Sequence, residues 1–239
     1  MEKTIFLTFD MDWASDEVLH DFYNLLCALD VCGTLNVTHH TTLLDMFRKE
    51  NRLELGIHPN FNMLLEGTVK GESYEDVIDE LQVIVPEAVT CRAHALTNSS
   101  KIKMKYVQCG VKYNLDMFYP PQKGNQVTYF KNAWGGCEIP FLFEDDLYMM
   151  YYEKKDVLYY LSDDFVAPRV FNFHPIHIFL NSDSSDRYEN ARPYFQNYEE
   201  LKQHCNISEF GIRDFLIQLI LLAKENGYTF SKIKEGYWK

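Results

Sequence analysis

The chain is 239 residues long and carries 35 acidic side chains against 23 Lys and Arg, a formal net charge of −12. This excess of acids argues against a general nucleic-acid binder, which needs Lys and Arg to displace counterions from phosphates. The apolar fraction of 46% and the aromatic fraction of 15% are those of a globular protein, not of a disordered one. We expect a single domain over residues 1–239, because single α/β barrels reach this length.

The lack of a targeting signal and the spacing of the cysteines both predict a cytoplasmic protein. No stretch approaches the ~20 apolar residues of a membrane span, and the run of five residues before Asp10 is too short for the apolar region of a signal peptide. The six cysteines form no C-x-x-C pair. Without an export signal, we expect them to be reduced and mostly buried.

Apolar runs and helical spacing predict alternating strands and helices. The predicted strands are 4–9, 33–38, 52–57, 89–93, 111–115, 138–143 and 169–173. The predicted helices follow Ser15, cover 41–50, run from Ser73 to before Pro86, and cover 100–109 and 207–226, whereas 181–206 is expected to be a polar surface excursion. Such alternation predicts a parallel sheet, either an open doubly wound sheet or a barrel. Because no phosphate-binding or dinucleotide-binding glycine motif is present, the sequence favours a distorted (β/α) barrel with about seven parallel strands.

Ionisable side chains follow the predicted strands at the points where the strands end. They are Asp10 and Asp12, His39 and His40, His58, Arg92 and His94, Asp116, and His174 and His177, and they include six of the eight histidines. In parallel α/β architectures these strand ends meet on one face, where ligand and catalytic sites are built. The sequence therefore predicts a functional site at this face.

Each of these motifs, taken alone, leaves a structural alternative open. Asp10 and Asp12 lie on the same side of an extended segment, so a cation or an arginine would relieve their repulsion, but they could also be helix-capping acids. A helical turn would place His58 and Asn62 on one face, in the i,i+4 relation. The two imidazoles at 174–177 titrate near neutrality and could donate a proton, or could be hydrogen-bonded core histidines.

The order of the motifs resembles the polysaccharide deacetylases of carbohydrate esterase family 4, which have a NodB-like fold. Residues 7–12 (LTFDMD) resemble the first motif in a D-x-D form, 33–38 (GTLNVT) the strand that follows, and 54–58 (ELGIH) the approach to the second motif. Arg92 matches the arginine that opens the third motif, and 171–175 (FNFHP) resembles the last strand, whose histidine is the catalytic acid. The segments DMDWA, GIHPNFN and FHPIHIFLN resemble a WbmS-like branch associated with surface-polysaccharide gene clusters.

The chain departs from the family pattern at three positions. Asn62 is the nearest counterpart of the second metal-binding histidine, and its amide oxygen is a harder and weaker donor for zinc than an imidazole. His94 stands where the third motif has proline and could supply the missing imidazole. Asp116 is the candidate for the carboxylate of the fourth motif.

The resemblance implies a metal-dependent hydrolase that removes an N-acetyl group from a sugar in surface-polysaccharide biosynthesis. It implies that Asp12, His58 and Asn62 hold a divalent metal, with zinc preferred and cobalt, manganese or nickel as alternatives. The further implied roles are Asp10 as general base, Arg92 as its orienting partner, His174 as general acid oriented by His177 or Asp116, and His94, His177 and Asp116 as additional ligands or substrate contacts.

The expected partner is an N-acetylated sugar, either a small molecule or a glycan, which could be nucleotide- or lipid-linked. No nucleic acid and no membrane span are expected, and the oligomeric state is left open. Two other functions stay open. The protein could be a non-catalytic glycan-binding or assembly protein on the same fold, which Asn62 motivates, or a metal amidohydrolase for a small non-sugar amide.

Overall fold

The computed structural model of the protein describes residues 3–68, 72–151 and 154–238. The strands are β1 (Thr4–Asp10), β2 (Gly33–Val37), β3 (Leu53–Ile57), β4 (Thr90–Cys91), β5 (Tyr113–Asn114), β6 (Phe130–Lys131), β7 (Cys137–Glu138), β8 (Phe143–Glu144), β9 (Arg169–Phe173) and β10 (Thr229–Ser231). The helices are α1 (Asp16–Ala28), α2 (Leu43–Glu50), α3 (Asn62–Leu65), α4 (Tyr74–Ile84), α5 (Ser100–Gln108), α6 (Asp145–Met150), α7 (Val157–Leu161), α8 (Pro175–Leu180), α9 (Ser185–Ala191), α10 (Tyr198–Leu201) and α11 (Ile212–Glu225).

The described strands form one sheet, in the order β6-β7-β5-β4-β3-β2-β1-β9-β8, with β10 paired to the start of β1. Every strand pair is parallel except β6 with β7. The residues of β2 and β3 are buried throughout. Continuous burial of this kind is expected where helices cover the outside of a parallel sheet and side chains fill its inside.

Residues 137–144 close this sheet into a distorted barrel. β7 at the start of the segment pairs with β5, and β8 at its end pairs with β9. Between them Phe141 bridges Phe118, and its N–H donates to the carbonyl of Met117 at 3.0 Å. The positions around the barrel are therefore β1 to β5, this closing segment and β9, which confirms the predicted distorted barrel with about seven parallel strands.

The single strand predicted over 138–143 is two short strands, because the segment changes partner halfway. The change lies between Phe141, whose N–H still donates to Met117, and Leu142, whose N–H donates to Val170 at 3.0 Å. Pro140, just before it, has no N–H to continue a ladder. A helix also starts where none was predicted: α8 begins directly after His174 with a proline at its first position, where the missing N–H costs nothing.

Helix caps explain which predicted helix boundaries are correct. Ser15 accepts a hydrogen bond from the N–H of Val18 at the start of α1, and Ser73 and Asp76 form the predicted capping box of α4. The last helix begins at Ile212, five residues later than predicted, since the preceding turn is held by the Asn206 side chain. The segment 181–206 is not irregular but contains α9 and α10, capped by Ser184 and Asn197.

All six cysteines are free thiols, but only Cys91 and Cys137 are buried. The expectation of mostly buried thiols is therefore wrong. The others lie in outer helices or loops, for instance Cys27 near the end of α1, which leaves them partly or fully exposed. No helix in the described part of the chain combines the length and apolar character needed to cross a membrane.

The C-terminal segment seals the end of the barrel where the strands begin. Trp238 packs on Phe6 with ring centroids 4.8 Å apart, and its indole N–H donates to the carbonyl of Ile233 at 2.7 Å. Beside them the buried Glu54 accepts hydrogen bonds from the hydroxyl of Thr34 at 3.0 Å and from the N–H of Lys234 at 2.8 Å. Because this end is filled, the open end for a ligand is the one where the strands finish.

Candidate active site

Asp10 lies at the end of β1 in a fully polar but buried environment. Its two carboxylate oxygens accept hydrogen bonds from the side-chain amides of Asn36 and Asn172, each at 2.8 Å. The guanidinium of the buried Arg92 lies 3.2 Å from Asp10 Oδ1. Burial alone would raise the pKa of Asp10, but Arg92 and the neighbouring imidazoles outweigh it and hold the pKa below its usual value. Asp10 is therefore an ionised carboxylate with fixed orientation.

Arg92 is fixed from several sides. Its Nε donates to the carbonyl of Leu115 at 3.1 Å, its Nη1 donates to Asn172 Oδ1, and its guanidinium lies 4.4 Å from the centroid of the Phe141 ring. These contacts involve β5, β9 and the closing segment. The arginine that supports Asp10 is thus positioned by the closure of the barrel itself.

A group named here the Asp12 cluster consists of Asp12, His58 and His94. His58 Nε2 and His94 Nδ1 each lie 3.2 Å from Asp12 Oδ1. The three residues can place one ligand atom each within 4.8 Å of the other two. Donors bound to one tetrahedral zinc at ~2.0–2.1 Å lie about 3.3 Å from each other. The spacing of this cluster therefore matches a shared divalent cation.

The lack of hydrogen bonds at the buried His58 also supports a cation site in the Asp12 cluster. His58 is buried, and neither of its ring nitrogens makes a hydrogen bond, although Nδ1 lies 3.5 Å from Asp10 Oδ1. These carboxylate contacts are close but do not have hydrogen-bond geometry. A buried imidazole without partners is costly, and a bound cation would satisfy it. The residues present thus fit a metal ion.

Backbone strain is concentrated at the same place. Asp12 has a φ of 34°, and Ala95 and Leu96, directly after His94, have φ values of 51° and 54°. Non-glycine residues in this region cost roughly 1–3 kcal/mol each, and they cluster at active sites and ligand clamps. Two of the three loops that supply the Asp12 cluster therefore carry strain that the surrounding fold has to maintain.

A second group, the Asp145 cluster, consists of Asp145, Asp146, His174 and His177. His174 Nδ1 lies 2.6 Å from Asp145 Oδ1, and the His174 N–H donates to Asp145 Oδ2 at 2.7 Å. His177 Nε2 lies 2.6 Å from Asp146 Oδ1. Burial would lower the pKa of His174, but Asp145 and Asp146 outweigh burial and raise the pKa well above its usual value. The His174 imidazole is therefore held in its protonated form.

The two clusters meet at one contact and open into two cavities. His174 Nε2 lies 3.1 Å from Asp12 Oδ2. One cavity of about 500 Å³ is lined by Asp10, Arg92, His94, Asp146 and His174, among others. Another of about 550 Å³ is lined by Asp12, Trp13, His39, Met63 and Leu64, among others, and His58 lines both. A substrate could thus extend to either side of the reacting centre.

The structure places Asn62 and Asp116 differently from the other predicted site residues. Asn62 is the first residue of α3, whereas His58 directly follows β3. The predicted helical turn from His58 to Asn62 is therefore wrong, and the two residues do not share one helical face. The carboxylate of Asp116 accepts hydrogen bonds from the Ala93 N–H at 2.7 Å and from the side-chain amide of Asn114 at 2.8 Å. The residue that orients His174 is Asp145 instead of Asp116 or His177.

Four residues of the site were missed by the sequence reasoning, namely Asn36, Asn172, Asp145 and Asp146. Asn36 and Asn172 lie inside apolar strands, and a polar residue in such a run was the available signal. Register brings them to Asp10, since Asn36 pairs with Asp10 and Asn172 pairs with Thr8. Asp145 and Asp146 begin α6 immediately after the closing segment, in a stretch without clear periodicity.

The strand ends of this parallel barrel thus bring together two acid–histidine clusters and an arginine-bound carboxylate, an arrangement suited to hydrolysis. The family model of the WbmS-like polysaccharide deacetylases matches residues 7–192. The chain therefore belongs to the WbmS-like polysaccharide deacetylase family, as the sequence resemblance implied. No curated protein matches the chain.

Solved structures agree with this assignment. WbmS from Bordetella bronchiseptica, assigned as a polysaccharide deacetylase involved in O-antigen biosynthesis, is 33% identical, with a TM-score of 0.85 over 92% of this chain and 90% of that chain. The peptidoglycan deacetylase PdaC from Bacillus subtilis is 11% identical, with a TM-score of 0.52 over 98% of this chain and 89% of that one. BA3943 from Bacillus anthracis, a carbohydrate esterase family 4 pseudoenzyme, is 12% identical, with a TM-score of 0.51 over 98% and 65%. The last two similarities show the fold alone.

Proposed function

We propose that the protein is a metal-dependent deacetylase that removes an N-acetyl group from a sugar of a surface polysaccharide or of its nucleotide- or lipid-linked precursor. The role of its relative WbmS in O-antigen biosynthesis suggests this substrate class. One observation carries the chemistry: the protonated His174 and the ionised Asp10 flank the Asp12 cluster, with His174 Nε2 3.1 Å from Asp12. A base, an acid and a cation site next to one another can together hydrolyse an amide.

The cation would be held by Asp12, His58 and His94. His94 is preferred to Asn62 as the third donor, because its Nδ1 lies 3.2 Å from the same carboxylate oxygen as His58 Nε2. A donor set of two imidazoles and one carboxylate favours zinc, with cobalt, manganese or nickel as alternatives. When bound, the cation would polarise the acetyl carbonyl and lower the pKa of water in the site.

The residues of the chain supply the proton transfers. Asp10, oriented by Arg92 and the two asparagine amides, takes a proton from the attacking water as the new C–O bond forms at the acetyl carbon. The C–N bond then breaks, and His174 Nε2 gives its proton to the departing nitrogen. The products are acetate and the sugar amine, and Asp145 stabilises the imidazolium of His174 throughout.

The test is acetate release from N-acetylated sugars by protein that has been chelated and then resupplied with Zn²⁺, Co²⁺ or Mn²⁺. We expect Asp10→Asn and His174→Ala to lose activity, whereas His20→Ala, which changes a histidine on α1 whose ring contacts Asn24, should retain it. Full activity in either active-site variant would refute the assigned roles. No acetate release with any of the metals would refute the deacetylase.

The two alternative functions predict different results. A non-catalytic glycan-binding protein has no need for the complete set of base, acid and arginine described here, and crystals soaked with zinc would show no anomalous signal near Asp12 and His58. A hydrolase of a small non-sugar amide needs a small closed pocket. The cavities of about 550 and 500 Å³ that meet at His58 suit a larger glycan better.

A further inference from the structure

Apart from its effect on the pKa of His174, Asp146 has no role in the hydrolysis described so far, yet it is held in a defined position. Its Oδ1 lies 2.6 Å from His177 Nε2, while 48% of its side chain is exposed and it lines the 500 Å³ cavity. His177 is itself buried, with Nδ1 3.1 Å from the Ser182 hydroxyl and its ring 4.7 Å from that of Tyr188. A buried imidazole thus fixes one oxygen of a carboxylate and leaves the other free to face a ligand.

The free oxygen lies beside the atom that delivers the proton. Asp146 Oδ2 is 3.9 Å from His174 Nε2. A nitrogen placed about 3 Å from both atoms is within hydrogen-bond distance of each. The leaving nitrogen of an acetamido group occupies that place if His174 is to protonate it. This nitrogen carries an N–H in the substrate and additional N–H groups in the amine product.

We propose that Asp146, positioned by His177, accepts the N–H of the scissile acetamido group and binds the amine product, and so selects N-acetyl over O-acetyl groups. The inference rests on the proposed function. An ester oxygen in the same place has no hydrogen to donate, and Asp146 would face its lone pairs without a partner. No proton is transferred to Asp146: the C–N bond breaks, the proton comes from His174, and Asp146 remains a carboxylate.

The spacing within this pair favours a hydrogen bond over a second metal site. Asp145, Asp146, His174 and His177 could also be combined into a set of metal ligands. However, both histidine–carboxylate contacts are hydrogen bonds of 2.6 Å, at or below the ~2.7–2.9 Å of charge-assisted N–H···O bonds, so each imidazole already has a partner, unlike His58 in the Asp12 cluster. We therefore assign Asp146 to the substrate.

The test compares kcat/KM for a 2-N-acetyl and a 2-O-acetyl derivative of the same glucoside. Asp146→Ala should lower the ratio of kcat/KM for the N-acetyl substrate to that for the O-acetyl substrate by about tenfold to a hundredfold, the usual effect of losing a hydrogen bond to a charged group, whereas the loss of its effect on the pKa of His174 acts on both substrates alike. His177→Asn should change the ratio in the same direction by less. Glu189→Gln, which removes an acid of the same cavity that is paired with Arg192 at 3.4 Å, should not change it.

An equal loss of kcat/KM on both substrates in Asp146→Ala would overturn the inference, since a structural role affects both. Binding gives a readout that does not depend on turnover. By calorimetry the wild-type protein should bind methyl glucosaminide more tightly than methyl glucoside, and Asp146→Ala should lose the difference. If the difference persists, the inference is wrong. If the wild-type protein hydrolyses neither substrate but shows this binding difference, the proposed function and the selection of N-acetyl over O-acetyl groups both fail, whereas the assignment of Asp146 to the nitrogen of a bound amino sugar stands.

Discussion

The Asp12 cluster and the Asp145 cluster contain the same residue types at the same end of one barrel, but they differ in spacing. Imidazole nitrogens lie 3.2 Å from the shared carboxylate oxygen in the first and 2.6 Å from separate carboxylates in the second. In the first cluster only His94 is hydrogen-bonded to the carboxylate, and both ring nitrogens of the buried His58 lack a partner, which suits donors around a cation. In the second cluster both histidines are hydrogen-bonded to a carboxylate. Composition alone therefore does not distinguish a metal site from a proton-transfer site, whereas the hydrogen-bond partners do.

The largest effect is expected from breaking the Asp12 cluster. His58→Ala should remove the bound metal and lower kcat by at least about 10³-fold, because the cation contributes several kcal/mol of transition-state stabilisation. Metal content by mass spectrometry and acetate release measure the two effects together. A variant that keeps stoichiometric metal would show that the Asp12 cluster is not the cation site.

Breaking the Asp145 cluster should affect catalysis without affecting the metal. His174→Ala removes the proposed general acid and should lower kcat by about 10²–10⁴-fold. The metal content should equal that of the wild-type protein, since His174 belongs to the hydrogen-bonded group. Loss of metal together with activity would mean that the two clusters are one site.

The third donor can be identified by a matched pair of variants. His94→Ala should weaken metal affinity by at least about tenfold, since even residues that only support a ligand have effects of that size. Asn62→Ala should leave the affinity unchanged, because the Asn62 side chain has no described contact with Asp12 or His58. Competition with a chelator measures both. The opposite ranking would restore Asn62 as the ligand.

The smallest effect is a shift in pH dependence. Asp145 raises the pKa of His174, and the imidazole acts as an acid only while protonated, so activity should be lost as the pH rises through that pKa. Asp145→Asn removes the negative charge, lowers the pKa of His174, and should move the alkaline limb of the kcat/KM profile to lower pH. An unchanged alkaline limb would assign it to another group.

Most of the barrel could be predicted because its long strands consist mainly of apolar and β-branched residues. β1, β2, β3 and β9 lie within one residue of their predicted bounds. β4 and β5 are only two residues long, although they lie inside the strands predicted over 89–93 and 111–115. The region between β5 and β9 could not be predicted, since its two-residue strands lie in a segment that changes partner between Phe141 and Leu142. Such a change of partner leaves no signal in the periodicity of the sequence.

Some residues of the candidate site could be predicted from the sequence and others could not. Asp10, Asp12, His58 and Arg92 could be predicted because each ends or directly follows an early strand. Asn36 and Asn172 could not, because only the register of neighbouring strands places them beside Asp10. Asp116 also follows a strand, yet its oxygens are bonded to the backbone N–H of Ala93 and the amide of Asn114. Position at a strand end thus indicates proximity to the site but not the direction of a side chain.

The closing segment 137–144 makes activity sensitive to local opening of the barrel. It is held by pairings of two residues each, to β5 at one end and to β9 at the other, and Asp145 follows it immediately. The side chains of the segment are buried, but fewer backbone pairings hold it at each end than join β1 to β9, and we expect it to open at a lower free energy than β1. Detachment from β9 would separate Asp145 from His174 while Asp12, His58 and His94 stay in place. On heating, hydrolysis should therefore cease before the metal is released and before the fold melts.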